Sequence, residues 1–442
     1  MTEKFKRYGA DEQADFISEE EEWATEFAIR EKEGSPVPKE FPRKTYEQYS
    51  FTYASLFSGI GGFEQALNQF GGECVFSSEI DKFAAQAYEA LYSDKPAGDI
   101  TKIDAKDIPD HDLLVGGFPC QAFSLAGKRK GFEDTRGTLF FEIARIAVEK
   151  KPKALLLENV KGLVNHDRGN TLDVMIETLN DIGYVVDFNV LNSKYFGVPQ
   201  NRERIFIVAI REDLIESEPF SEESTTGQTV VPRGKRRIGE WASVFNFDWP
   251  EQTEVTMRLR DILESEVDEK YYLDEEKTAK LVAHLTRETE DGFHAYRNDA
   301  KKSSIQGTHV TYAEGRTHAL TVAHVPMTTA EPQMLGHVDI RGNDSIKRTY
   351  STGGIPPTLT SMGGGHREPK IAEENSSAPR YRIRKLTPLE CFRLQNFPDE
   401  AHQKLVEVGI SDSQRYKMAG NAVTVNVVES IGERLIPIIT EI

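Results

Sequence analysis

The chain has 442 residues, enough for two or three domains and a sizeable core. With 38% hydrophobic and 29% charged residues, bulk disorder is excluded; no apolar run reaches the roughly 18 residues of a membrane-spanning helix. The net charge of −18 excludes an evenly basic nucleic-acid binder, yet it leaves room for a basic face on an acidic body.

Base gathers at Lys128–Lys130, at Arg202 and Arg204, at Arg233–Arg237 and at Lys347–Arg348, while acid is heavy in the first fifty residues and between Glu251 and Glu276. The polar start, Met1 to Arg7, has no apolar signal-peptide core, and a cytoplasmic protein is expected. Three cysteines without paired spacing make no disulfide framework, and no Cys/His cluster stands at zinc spacing, so no metal is expected. Cys74 and Cys391 lie in apolar patterns and read as buried thiols.

Residues 1–50 read as an extension: Ser18 and Glu19–Glu22 form an N-cap and acidic first turn, followed by a Gly/Pro linker at 34–42. From Tyr53 a short apolar strand runs into a glycine turn at Gly59, Gly61 and Gly62 and then a helical pattern, an arrangement that lets a ligand approach backbone at a helix start. The Gly-x-Gly-Gly spacing differs from the dinucleotide Gly-x-Gly-x-x-Gly and points to another adenosyl ligand. A second strand ends at Glu79-Ile80-Asp81, where nucleotide-binding units keep an acid for ribose hydroxyls. A further acid follows at Asp99-Ile100.

The strand beginning at Asp112 leads into Gly116–Ser124, in which Pro119 rigidly presents Cys120. Residues 124–137 read as a closing loop, with glycine hinges and with Lys128–Lys130 for phosphates. Helix is expected over 139–149 and 171–182. Strand is expected from Ala154, ending at Glu158-Asn159, then from Tyr184, and again from Ile205 behind Gln200–Arg204. Strands alternating with helices predict an α/β, Rossmann-like fold, with an open, mostly parallel sheet covered on both faces. In such sheets the ligands sit at the carboxyl ends of the strands, where the glycine turn, Glu79, Cys120 and Glu158 should meet. After Arg211 the rhythm breaks, and 212–380 reads as a smaller second domain with more turns than helices. A last segment, 381–442, contains a helical region and Gly420-Asn421.

Phe57–Gly62, Gly117–Gln121, Glu158–Val160, Gln200–Arg204, Arg384–Cys391 and Gly420–Val423 stand in the motif order of a known family. The chain resembles the DNA (cytosine-5) methyltransferases, most closely their bacterial GCGC-type members, over 53–211 and from 350 to the C-terminus. The resemblance implies a catalytic domain at 51–211, a target-recognition domain at 212–380, and S-adenosylmethionine at Phe57, Gly59, Gly61, Gly62, Glu79, Ile80, Asp99, Ile100, Pro119 and Asn421. It implies Cys120 as nucleophile, Glu158 as the acid on cytosine, and Arg202 and Arg204 as orienting the base and its phosphate. Double-stranded DNA is the implied partner, with Thr358 matching the Thr-Leu pair of the family's recognition domain; the loop residues Lys128 and Arg136 read from their chemistry as phosphate contacts, and Arg348, with Arg341 or Lys347 as alternatives, as a guanine contact, because arginine can bridge O6 and N7. The implied setting is restriction-modification or phage self-protection, by a monomer that forms no stable complex with a cognate endonuclease. A tRNA-directed enzyme with the same chemistry is the alternative.

Overall fold

A computed structural model describes residues 46–119, 139–290, 331–360, 367–374 and 381–441. Six strands form the larger sheet among these: β1 (Phe51–Leu56), β2 (Gly72–Ser78), β3 (Leu113–Gly117), β4 (Ala154–Val160), β5 (Tyr184–Asn192) and β6 (Glu203–Arg211). Their spatial order is β2-β1-β3-β4-β6-β5. The first four run parallel, and β6 lies antiparallel to both β4 and β5. The expectation of a mostly parallel sheet therefore needs one amendment. Only 193–202 separate β5 from β6, too short a path for the helical crossover that parallel neighbours require, so the two pair as a hairpin.

Both faces of the sheet are dry. Ala54, Leu56, Leu114, Leu155, Leu157, Ile205 and Ile207 share one core with the helices Leu139–Lys150 and Asn170–Asp181. The alternate residues, Leu113, Val115, Leu156 and Val208, are equally buried on the opposite face. The helix Val425–Thr440 packs on the helix Gly62–Leu67, bringing the end of the chain back to the first strand–turn–helix unit.

Four short strands form a second sheet: β7 (Met334–His337), β8 (Arg348–Ser351), β9 (Lys370–Glu374) and β10 (Tyr381–Lys385), in the order β10-β9-β8-β7. Leu281, Leu285, Val338, Ile340, Ala372, Tyr381 and Ile383 make its small core. Packing does not follow the boundaries drawn at 211/212 and 380/381. Ile238 and Val244 join the core of the large sheet, and β10 belongs to the small one.

The basic run Arg233–Arg237 is not a free cationic face either. Lys235 is buried against Asp187 at 2.7 Å, Arg237 pairs with Asp173 at 3.0 Å, and Arg236 donates to the carbonyls of Thr225 and Gly227. Cys391 is fully buried in the helix Pro388–Arg393, whereas Cys74 on β2 is only partly covered and contacts Tyr88 Oη at 3.6 Å.

Candidate active site

The order of strand addition reverses at β1: β2 is laid down on one side of β1 and β3 on the other, which opens a crevice above their carboxyl ends. Phe57 leaves β1 with a φ of +55°, a left-handed conformation that costs a non-glycine residue about 1–3 kcal/mol. The strain is held by Ser58 N–H, which donates to Ser78 O at 3.0 Å, and by Gly59 N–H, which donates to Glu79 Oε2 at 2.9 Å. Glu79 Oε1 also accepts from Asp81 N–H at 2.7 Å. One carboxylate thus welds the ends of β1 and β2, and each oxygen keeps lone-pair capacity for a further donor.

Gly61 has a φ of +77°, and a Cβ there would sit 2.2 Å from the Tyr92 ring. Tyr92 Oη donates to Gly61 O at 2.7 Å and fixes the turn from behind. A Cβ on Gly62 would meet Val423 Cγ1 at 2.6 Å, so this glycine admits the C-terminal strap over the turn. Above Gly59 there is open space, with no atom within 4 Å of an added Cβ. Ile80, 72% exposed, stands beside it, and Asp81 caps the helix Lys82–Tyr92 while pairing with Lys417. An open glycine turn, a carboxylate with spare acceptor capacity and two apolar side chains at its rim fit a nucleoside.

Asp99 caps the next turn, with Oδ1 accepting from Thr101 N–H at 3.1 Å. The Ile100 side chain is only 3% exposed and sits in the core, beside the Asp99 cap. Asn421 is exposed at the end of the helix Asp412–Asn421.

The other half of the crevice lies over β3, β4 and β6. Gly117 pairs with Glu158 in the ladder, and an added Cβ on Gly117 would be 3.3 Å from Glu158 Oε2, so the glycine leaves that carboxyl its place. Asn159 Nδ2 donates to Phe118 O at 2.8 Å and anchors the chain immediately before Pro119, which is exposed. Cys120, Lys128 and Arg136 lie outside the described residues. Glu158 is 13% exposed and pairs with Arg204 Nε at 3.0 Å. Burial pushes its pKa above the ordinary carboxyl value, although the positive charges of Arg204 and Arg202 pull the other way. A carboxyl held this way can carry a proton and donate it to a heterocycle.

The two arginines of Gln200–Arg204 part company. Arg204 reaches the site, whereas Arg202 is 2% exposed and donates to the carbonyls of Leu359 (3.2 Å), Gly420 (3.1 Å) and Ala422 (2.7 Å). The expected contact of Arg202 with base or phosphate is corrected accordingly: its guanidinium is sealed in the protein. The Thr358 hydroxyl likewise donates to Asn201 O at 2.6 Å, fastening its segment to the connection that precedes β6 rather than offering its proton outward. Arg348 is 42% exposed at the start of β8 and held by Asp344 at 2.6 Å, which also pairs with His337 at 2.8 Å.

A cavity of about 450 Å³ touches none of the glycine-turn residues, and Asp187, Lys235, Asn246 and Trp249 in its lining already bond to one another or to main chain. Among the described residues no cluster could hold a metal ion, and no helix is long and apolar enough to cross a membrane.

Sequence reasoning missed the anchoring role of Asn159 and the strap role of Arg202. The first was visible only as the neighbour of an acid, the second only as a member of a basic pair.

The profile of a family described as C-5 cytosine-specific DNA methylase matches residues 51–437. The chain is 42% identical over 488 residues to the orphan methyltransferase M.Rho11sI of Bacillus phage rho11s, covering 86% of this chain and 97% of that protein. It is 37% identical over 381 residues to the type II methyltransferase M.HhaI of Haemophilus parahaemolyticus, covering 86% and 92%. Among solved structures, the S. pombe Dnmt2 methyltransferase superposes with a TM-score of 0.55 at 18% identity, over 88% of this chain and 98% of that one, a likeness of fold.

Proposed function

Because the chain belongs to the C-5 cytosine-specific DNA methylase family, we propose that it moves the methyl group of S-adenosylmethionine to C5 of a flipped-out cytosine in a short, specific duplex DNA sequence. The observation that carries this reading is Glu158, largely buried, paired with Arg204 and set across the ladder from the segment that leads into Cys120.

C5 of cytosine is a poor nucleophile. The Cys120 thiolate adds to C6 and pushes electron density onto C5, and Glu158 gives its proton to N3, where negative charge would otherwise build. C5 then takes the methyl group from the sulfonium, which leaves as a neutral thioether. Loss of the C5 proton to solvent, elimination of the thiolate and return of the N3 proton to Glu158 restore the ring and free Cys120. The step needs a soft nucleophile that is also a good leaving group, and Arg204 keeps Glu158 pointed at the ring. Phe57 and Ile80 would hold the adenine and Glu79 the ribose hydroxyls; the remaining contacts would come from the Gly59–Gly62 turn, Asp99, the Ile100 backbone, Pro119 and Asn421. The group they hold supplies the electrophilic methyl.

Flipping a base out of a duplex costs a few kcal/mol. Lys128 and Arg136 would contribute phosphate contacts, and Arg348, pre-oriented by Asp344, can bridge O6 and N7 of a guanine in the major groove. Thr358 serves DNA binding through the segment it fastens. The orphan and type II names of the relatives support a restriction-modification or phage self-protection role. The tRNA alternative is not favoured, since the matching family is described by DNA.

Tritium transfer from labelled S-adenosylmethionine to duplex DNA and to tRNA, run side by side, tests the proposal: label enters DNA, and incorporation confined to tRNA would refute it. Asn159→Ala, which frees the carbonyl of Phe118, should lower kcat by about 10- to 100-fold through misplacement of the thiol while leaving the KM for cofactor near wild type. Steady-state methyl-transfer kinetics check both values.

A further inference from the structure

We infer that Arg202 is a positioning residue that clamps the recognition segment and the cofactor strap together, so that one buried guanidinium sets the affinity for DNA and for S-adenosylmethionine alike. The inference rests on the sites proposed above. Its three acceptors come from two distant stretches of chain: Leu359 follows Thr358 in the recognition segment, while Gly420 and Ala422 flank Asn421 in the strap.

Both stretches are joined to the same short connection from other directions. Asn201 N–H donates to Pro356 O at 3.1 Å and the Thr358 hydroxyl donates to Asn201 O, while at the end of the strap the hydroxyls of Ser193 and Thr424 are hydrogen-bonded at 2.8 Å. Arg202 is itself fixed, its N–H donating to Asn192 Oδ1 at 3.0 Å and its carbonyl accepting from Ser193 N–H at 3.0 Å. On the strap side the next residue, Val423, lies against Gly62, so the position of Ala422 O determines how the strap closes over the glycine turn.

Burying a cation among neutral acceptors is costly, and its bonds here all run to main-chain carbonyls. That chemistry suits a clamp. The planar fork of arginine reaches carbonyls in divergent directions, and because they are backbone atoms their positions report where the two segments run rather than which side chains they carry. Lysine, a point donor on a flexible stem, cannot span all three.

The test is Arg202→Lys, compared with wild-type protein whose binding of both ligands examines the proposed function separately. S-adenosylhomocysteine is titrated by calorimetry, and a plasmid-derived duplex bearing a site mapped by bisulfite sequencing is titrated by fluorescence anisotropy. Both Kd values should rise by about tenfold, the gain expected from one or two lost charge-assisted hydrogen bonds. A merely structural role would lower thermal stability without raising the two Kd values together. Thr358→Val, at a partly exposed position, serves as the second variant should the lysine variant not fold. It removes the companion bond to Asn201 and should raise both Kd values by a few-fold. Two Kd values at the wild-type level in whichever variant folds, or a rise in only one, would overturn the inference.

Discussion

Cys120→Ser should abolish methyl transfer, with kcat falling by at least about 10⁴-fold, while the Kd for duplex DNA stays close to wild type. The reason lies in both halves of the covalent cycle. A serine hydroxyl at neutral pH is scarcely ionised and adds poorly to C6; once added, its alkoxide is a poor leaving group, so addition and elimination both suffer. DNA binding is expected to persist because affinity rests on phosphate and groove contacts, not on the nucleophile. Single-turnover methyl transfer and anisotropy titrations on the same preparation measure the two quantities. Turnover retained in the variant would remove Cys120 from the reaction.

Glu158→Gln is the second large effect, with kcat expected to fall by about 10²- to 10⁴-fold, the usual contribution of a positioned acid. The amide keeps the shape of the side chain and one acceptor for Arg204, yet it has no acidic proton for N3. The pH profile carries a sharper signature. Burial raises the pKa of Glu158, so the group holds its proton to higher pH than an exposed carboxyl. Wild-type activity should therefore fall on the alkaline side as pH passes the raised pKa. In the glutamine variant that limb should vanish, leaving a low, flat rate. For stability the sign is the same: the protonated form is the cheaper one to bury, so Glu158 costs least below its unfolded-state pKa and most once pH exceeds its raised folded-state value. Arg204 limits that cost by pairing with the carboxylate.

Much of the fold was legible because its strands are continuous apolar runs punctuated by glycine. Ala154–Leu157 and Ile205–Ala209 could hardly be anything else, and the Gly59–Gly62 turn announced a ligand-approach point between strand and helix. The hairpin of β5 and β6 was not legible from apolar pattern alone, since a buried run gives no hint of its direction; the short connection between them is the clue. The segment after Arg211 misled because its long-range partners are polar. Lys235 looks like a member of a surface cluster until Asp187, far earlier in the chain, closes over it.

The site divides in the same manner. Gly59, Glu79 and Glu158 were readable as strand-end chemistry, because an acid or a glycine at the carboxyl end of a buried strand lies beside the crevice. Arg202 and Arg204 are separated by one residue, and sequence treats them alike. In a strand, side chains two apart share a face, but Arg202 precedes the ladder and turns inward to the carbonyls of Leu359, Gly420 and Ala422, while Arg204 lies within it and meets Glu158. The burial of Ile100 and the inward-donating hydroxyl of Thr358 follow from tertiary packing that no local pattern encodes.

The most direct test of covalent catalysis is the reaction of the protein with duplex DNA carrying 5-fluorocytosine at the mapped target, in the presence of S-adenosylmethionine. Fluorine at C5 cannot leave as a proton does, so the methylated adduct cannot eliminate the thiol. Electrophoresis in SDS should show a stable protein–DNA species that depends on Cys120 and is lost in Cys120→Ser. Absence of that species, under conditions in which ordinary target DNA is methylated, would contradict the mechanism.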